Sequence, residues 1–268
     1  MAEVTISNPS DPRIEVFQGL RDQAARQRRE RPGGDMAGYF IAEGDLVIER
    51  AVHHDFALES VLIADRRTKP LPEAVGDATV FRAGDEVLSK ITGRPELRDP
   101  IACFVRPTLP SAETLIDGLE SNSAIAVLVD INNPNNLGVI MRNAAGLGID
   151  AVLLDPTCGD PLYRRAIRAS MGQVFALPHA RISALPESLD MLHDAGIETI
   201  ALSPFAATDL RSFDASDKTA LLLGAEGPGL PEAVMRAATH RVRISMSRDV
   251  DSLNVANAAA IAFHHLGK

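Results

Sequence analysis

The second half of the chain is a series of short apolar runs separated by helix-length stretches, and few architectures accept that pattern. AIAVLVDI from Ala124, AVLLD from Ala151, ETIALS from Glu198, KTALLLG from Lys218 and HRVRISM from His240 read as continuous rather than alternating apolar segments. Strands of that kind suit a parallel sheet covered on both faces. Helical stretches near 137–147, 162–171, 185–195 and 231–238 lie between them. The alternation predicts an α/β fold with a doubly wound parallel sheet over 124–268. In such sheets ligands sit beyond the carboxyl ends of the strands, where loops run into helix N-termini.

Three connecting loops carry polar groups where chemistry needs them. The first, DINNPNNLGVIMRNAAGLG from Asp130, leaves a strand through a turn rich in Asn and Pro and enters a helix. Asn136 is expected before or at the helix start, its side chain turned into a cleft. Arg142 follows about 600° further round, on a different face. The second, LLLGAEGPGLP from Leu221, ends a buried strand in glycines set around Glu226. Glycine lets the backbone approach a ligand or take positive φ. No Gly-Lys-Ser/Thr follows, so this is not a P-loop. The third, ISMSRDVDSLNVANAAAIAFHHL from Ile244, passes from a polar loop into an Ala-rich helix starting near Leu253. Asp251 or Ser252 is the expected cap. Ser252 and Asn254 can each donate or accept a hydrogen bond.

In order and spacing these loops resemble the three motifs of the SpoU (TrmH-like) family of RNA ribose 2′-O-methyltransferases, within the SPOUT superfamily. NNLGVIMRNA is similar to the first motif, LLLGAEGPGL to the second and RISMSRDVDSLNVANAAAI to the third. The resemblance implies a C-terminal segment threaded as a trefoil knot, an exception to the near absence of knots. It implies S-adenosylmethionine as methyl donor and a ribose 2′-hydroxyl of rRNA or tRNA as acceptor, without metal. Arg142, Asn136, Glu226, Ser252 and Asn254 would form the catalytic set. Arginine stays charged at any ordinary pH. Arg142 therefore suits binding the adjacent phosphate and orienting the hydroxyl better than taking its proton. Leu202, Ser203, Gly224, Ile244, Met246 and Leu253 would hold the cofactor, largely by main chain and apolar contact. Asn143, Ala225, Ser245 and Arg248 stand where the family usually has Thr, Asn, Pro and Gly. Arg248 and Ala225 keep open a non-catalytic RNA-binding paralogue with the same fold; an unrelated nucleotide-binding α/β enzyme is the third reading.

Residues 1–110 read as a smaller α/β unit behind a polar N-terminus of about 35 residues. Strands are expected in YFIAEG, ESVLIAD, ATVFRAG and IACFVRP, with a helix near 86–92. By the same resemblance this is an N-terminal RNA substrate-binding domain, joined to the methyltransferase domain by a Pro- and Ser-marked linker over 111–123. Arg21, Arg26, Arg28, Arg29 and Arg31 crowd one stretch that reads as an exposed helix ending at Pro32. It is either a solvated face or a contact for RNA phosphates. Arg164, Arg165 and Arg168 pose the same choice.

Charge narrows the partners. The formal net charge of −9 over 268 residues argues against indiscriminate nucleic-acid binding and leaves local basic patches. Cys103 and Cys158 match no zinc or disulfide spacing and read as buried thiols. The pairs His53–His54 and His264–His265 lack a third ligand, so no metal is expected. No apolar run approaches roughly 18 residues, and the N-terminus has no leader pattern. A soluble, cytoplasmic protein without a membrane partner is expected. Ala256, Ala259, Ala260 and Ala262 make one side of the last helix narrow and apolar. A two-fold homodimer through that side is the expected assembly, as in similar family members.

Overall fold

A short strand, Glu3–Ile6, lies within the stretch read as a polar N-terminus. In the computed structural model, which describes residues 2–21, 37–247 and 250–267, the chain divides into two units. Arg26, Arg28, Arg29, Arg31 and Arg248 lie outside the described residues. Arg21 is described and exposed.

The first unit, Met1–Thr108 with Leu162–Phe175, is built on one five-stranded sheet. Its strands are β1 (Glu3–Ile6), β2 (Tyr39–Glu43), β3 (Leu58–Ala64), β4 (Thr79–Ala83) and β5 (Ile101–Val105). They lie in the order β1-β4-β3-β5-β2. β1, β4 and β3 are parallel, and β5 runs antiparallel to both β3 and β2. Helices α1 (Asp45–His53) and α2 (Asp85–Thr92) follow β2 and β4. β1 escapes sequence reading because it is a short edge strand with only Ile6 buried. The four expected strands are all present.

Leu162–Phe175, expected among the elements of the second half, belongs to this first unit. Its short helix, Arg164–Ala169, lies against β2. Phe175 packs on Phe40 and Phe56 with ring centroids 5.7 and 4.8 Å apart. Arg164 is buried, and with Arg94 it clamps the Glu43 carboxylate at the end of β2. It also donates to the Leu20 carbonyl at 2.8 Å. Arg164 therefore cannot serve an RNA phosphate, since its guanidinium is committed to a buried carboxylate. Arg165 and Arg168 remain exposed.

Burial alone would raise the Glu43 carboxyl. The hydrogen bonds and charges of Arg94 and Arg164 outweigh it and hold the group below the ordinary carboxylate value. With the folded value depressed, this stabilisation is complete above the unfolded Glu value of roughly 4.3. It is lost as pH falls through the folded value. Glu43→Ala leaves buried guanidinium charge unpaired, and should cost about 3–5 kcal/mol in urea unfolding at pH 7. The variant should also lack this component of the wild type's loss of stability on acidification below about pH 4. Wild-type midpoints would mean the clamp contributes nothing.

The second unit, Leu109–Pro161 with Ala176–Lys268, holds seven strands. These are β6 (Ser123–Leu128), β7 (Ala151–Leu154), β8 (His179–Arg181), β9 (Glu198–Leu202), β10 (Thr208–Asp209), β11 (Lys218–Leu223) and β12 (His240–Arg243). Their order is β10-β12-β9-β11-β6-β7-β8, and every pair is parallel. The five strands expected from the sequence are the interior ones. β8 and β10 are the edges, with three and two residues, too short for a hydrophobic pattern.

The helices of this unit are α3 (Ala112–Asp117), α4 (Pro134–Gly146), α5 (Leu189–Asp194), α6 (Glu232–Ala237) and α7 (Val255–Leu266). α3 occupies much of the stretch expected as a linker. Ser111 caps it by accepting from the Thr114 N–H at 3.1 Å. Ala112 and Ile116 are buried in the core, with Leu115 and Leu119 packed beside them. The Ser that suggested a linker is a helix start signal, and the i, i+3, i+4, i+7 apolar spacing is the helix itself. The unit boundary falls between Thr108 and Leu109.

α3, α5 and α6 share one core with Ile125, Val127, Leu153, Ala201 and Leu222. The alternate strand residues Ala126, Leu128, Val152, Leu154, Leu221 and Leu223 are also buried, as a sheet covered on both faces requires. On their side α7 packs against α4 and β11. Ala256, Ala259 and Ala262 are buried there, and the Asn143 side chain donates to the Ala256 carbonyl at 3.0 Å. The alanine stripe expected to face a second copy is thus a seam within the chain, since small side chains let the two helices approach. Among the described residues no helix is long and apolar enough to cross a membrane.

Candidate active site

Parallel strands deliver their carboxyl ends to one edge of a sheet. The neighbours β12, β9, β11 and β6 therefore gather four loops. A cavity of about 470 Å³ opens among the loops after β9, β11 and β12 and the start of α7. That size falls within the ~300–1,000 Å³ range of small-molecule sites. Leu202, Ser203, Gly224, Ile244, Met246 and Leu253, the six residues expected to hold a cofactor, all line it.

Gly224 lets this wall close. A Cβ there would stand 2.3 Å from the backbone carbon of Gly229 and the nitrogen of Leu230. The loop doubles back on itself, with the Gly229 N–H donating to the Ala225 carbonyl at 3.0 Å. Gly229 is required for a different reason, its positive φ of 70°.

Asn254 organises the polar end. It caps α7, its Oδ1 accepting from the Ala256 and Asn257 N–H groups at 3.0 and 3.4 Å. Its Nδ2 donates to Asn136 Oδ1 at 3.0 Å and to Glu226 Oε1. One amide so joins α4, the loop after β11 and α7. The expected caps, Asp251 and Ser252, lie too early. The helix starts at Val255, and only the residue just before it can reach those first N–H groups. Ser252 is exposed on the cavity wall.

Asn133 caps α4 in the same way, accepting from the Asn135 N–H at 2.9 Å, with Pro134 at the first helical position. Asn136 is thus inside the helix rather than before it, and is buried. Its Nδ2 has no partner among the described residues. Arg142 is not brought into this cluster. It is exposed on another face of α4 and makes no hydrogen bond or ion pair among the described residues. Glu226 is held by Asn254, not by an arginine.

Sequence reasoning missed the brace under the first loop. Buried Asp155 accepts from the Cys158 N–H at 2.8 Å and the Thr157 N–H at 3.0 Å, and its Oδ1 reaches the Asp130 N–H at 3.3 Å. Asp130 itself sits at φ 55°. The one available signal was an Asp just past a strand end, where local turns recruit such side chains. Burial pushes the Cys158 and Cys103 thiols up to about 12, so both are inert at neutral pH.

Comparison with known proteins places this geometry. The model of the SpoU rRNA Methylase family matches residues 123–264. A protein described as an uncharacterized tRNA/rRNA methyltransferase of Mycobacterium tuberculosis is 38% identical over 98% of this chain and 93% of its own length. A 23S rRNA (guanosine-2′-O-)-methyltransferase, RlmB, of a Burkholderia species is 30% identical over 70% of this chain and 76% of its own. A solved RNA 2′-O ribose methyltransferase superposes with a TM-score of 0.79 at 28% identity, over 98% of this chain and 97% of that one. An AdoMet-bound rRNA methyltransferase from Sinorhizobium meliloti does so with the same score at 25% identity, over the same shares.

The two duties of Asn254 are separable. Asn254→Ser keeps a capping oxygen, so stability should stay within a few tenths of a kcal/mol of wild type, whereas Asn254→Ala should lose about 1 kcal/mol. Neither can hold Glu226. Equal thermal midpoints for the two variants would mean that the cap does not stabilise α7.

Proposed function

Because the chain belongs to the SpoU rRNA methylase family, we propose that it is an S-adenosylmethionine-dependent enzyme that methylates a ribose 2′-hydroxyl of ribosomal or transfer RNA. The observation that carries this reading is the cavity at the carboxyl edge of the sheet, with Asn136, Glu226 and Asn254 hydrogen-bonded at its polar end. The residues fit the cofactor. The walls combine main chain with Leu202, Ile244, Met246 and Leu253, and the exposed Glu226 carboxylate suits a nearby sulfonium charge.

When bound, the cofactor supplies an electrophilic methyl carbon. The chain's own task is to bring a weak nucleophile to it in line. Asn254 holds one oxygen of Glu226, which leaves the other to accept from the ribose hydroxyl and fix its oxygen. The free Nδ2 of Asn136 and the unpaired Arg142 bind RNA phosphates. Arg142 keeps its charge through the reaction, so it contributes orientation and electrostatic stabilisation. Asn143 and Ala225 depart from the family pattern without removing a group from the cluster: Asn143 bonds the seam between α4 and α7, and Ala225 pairs with Gly229. That favours an enzyme over a non-catalytic paralogue.

The C-terminal segment is read as a trefoil knot. Support comes from Asn254, tied to both the loop after β11 and α4, and from the far end of α7. A Cβ on Gly267 would stand 1.7 Å from the Leu147 carbonyl oxygen, so the chain end is pressed against the end of α4. The first unit is read as the RNA-binding domain, acting in the cytoplasm, where the substrate RNAs are. The assembly is read as a homodimer. Its contact moves from the buried alanines to Val250, Leu253 and Ile261, which are exposed around an apolar groove of about 530 Å³.

Arg142→Ala should lower methyl transfer at least ~100-fold, the scale of a misaligned nucleophile, while cofactor affinity stays within about twofold. Labelled methyl incorporation into RNA from a deletion strain and calorimetry with S-adenosylmethionine measure the two. Near wild-type turnover would remove Arg142 from the reaction, and loss of cofactor binding would move it into the cofactor site.

A further inference from the structure

Phe205 has almost no protein around it. Its side chain belongs to a residue 93% exposed, while the next most exposed large apolar residue among those described, Val250, reaches 46%. The turn that carries it is nevertheless held. The Phe205 N–H donates to Ser203 Oγ at 3.4 Å, and the Ala206 N–H donates to the Ser203 carbonyl at 3.2 Å. The Arg243 guanidinium donates to the carbonyls of Ala206 and Ala207 at 2.6 and 2.5 Å. Ala206 itself is buried. An anchored backbone thus presents an unanchored ring. That ring, with Pro204, lines the same cavity as Leu202, Ser203 and Gly224.

A large apolar side chain left in water forgoes the stabilisation its burial would give. Small-molecule cavities are lined mainly by apolar and aromatic side chains, and a ligand bound in this one would cover the ring. Sheet order locates the part of the ligand concerned. β9, which leads into Phe205, is separated by β11 from β6, which leads into α4 and Asn136. Two strand spacings of roughly 4.8 Å each put the two loop origins about 10 Å apart. The polar cluster of Asn136, Glu226 and Asn254 gathers toward the α4 side, where the reacting groups belong. The turn that carries the ring lies toward the other side, where apolar side chains and main chain form the cavity wall.

We propose that Phe205 stacks on the adenine of S-adenosylmethionine and sets the affinity of the site for the nucleoside part of the cofactor. This rests on the cavity being the cofactor site. An aromatic ring and a purine face are both planar and poorly hydrated, and offset stacking between them adds to the area removed from water. Arg243 acts through the turn, as a positioning residue that keeps the ring over the cavity.

The chain contains no tryptophan, so Phe205→Trp would install a single reporting indole. Its emission should be quenched by saturating S-adenosylmethionine and not by RNA alone. In calorimetry Phe205→Ala should bind S-adenosylmethionine about tenfold more weakly than wild type, in keeping with the cost of losing one base-stacking aromatic. Phe205→Tyr should stay within about twofold. The thermal midpoint of ligand-free Phe205→Ala should match wild type, since the ring has little to lose in the folded chain. Unchanged affinity in Phe205→Ala, alongside lost binding in Gly224→Val, overturns the role of Phe205 and leaves the cavity assignment standing. Quenching by RNA but not by the cofactor also overturns it, and moves the ring to the substrate. Wild-type affinity in Gly224→Val would overturn the cavity assignment, and this proposal with it.

Discussion

The polar end of the candidate site depends on one side-chain amide. Asn254 uses its oxygen on the first N–H groups of α7 and its nitrogen on Asn136 and Glu226. No smaller residue can do both, because the cap needs an acceptor at the backbone and the cluster needs a donor further out. The consequence is that helix start and site geometry cannot drift independently. Where α7 begins, the positions of Glu226 and Asn136 follow. A carboxylate on a Gly-rich loop would otherwise sample many rotamers, and ordering it would cost side-chain entropy at the moment of binding. Here the folded chain has met that cost beforehand, which is what preorganisation means in energetic terms.

The loop that carries Glu226 can be so positioned only because β11 ends against its own return. With a side chain at Gly224, the strand's continuation would be pushed off the backbone of Gly229 and Leu230. The parallel order β12-β9-β11-β6 then adds the neighbouring loops at no further conformational cost. Each interior strand is fixed by its sheet partners, so its last residue is fixed too. Leu202, Ile244 and Gly224 meet because they end adjacent strands, although they lie far apart in sequence.

The interior of this sheet was legible in the sequence because burial on both faces leaves a signal that no loop imitates. β6, β7, β9 and β11 are apolar at consecutive positions, whereas β12, HRVR, buries only Val242 and was read from the apolar residues that follow it. The edges β8 and β10 of this sheet, and the edge β1 of the other, were not legible, being too short, or too exposed on one side, for any period to register. The candidate site residues were legible as residue types on strand-to-helix loops, and the residues expected to hold a cofactor were reached through resemblance. What the sequence could not reveal was partnership. Arg164 looked like one of three equivalent arginines, yet it alone meets Glu43, 121 residues away. The alanines of α7 looked free for a second chain because α4, which covers them, is more than a hundred residues distant. Long-range contacts of that kind are set by topology, which local composition does not encode.

Charge completes the argument about RNA. An acidic chain can bind a polyanion only through cations that its own carboxylates leave free. In the first unit Arg66, Arg67, Arg82, Arg94, Arg98 and Arg164 are all paired with acidic side chains. Arg142, Arg165 and Arg168 are exposed without an ion pair among the described residues. Each phosphate neutralised adds roughly 0.7–0.9 to the salt dependence of binding. Phosphate contacts of this kind carry no sequence information, so the RNA must be selected by shape and by the pocket. An enzyme that modifies one ribose among thousands gains from that arrangement, because tight non-specific binding would hold it on the wrong nucleotides. The same economy suits an exposed arginine left unpaired: an ion pair at Arg142 would have to be broken each time a phosphate arrived, and its desolvation would oppose binding.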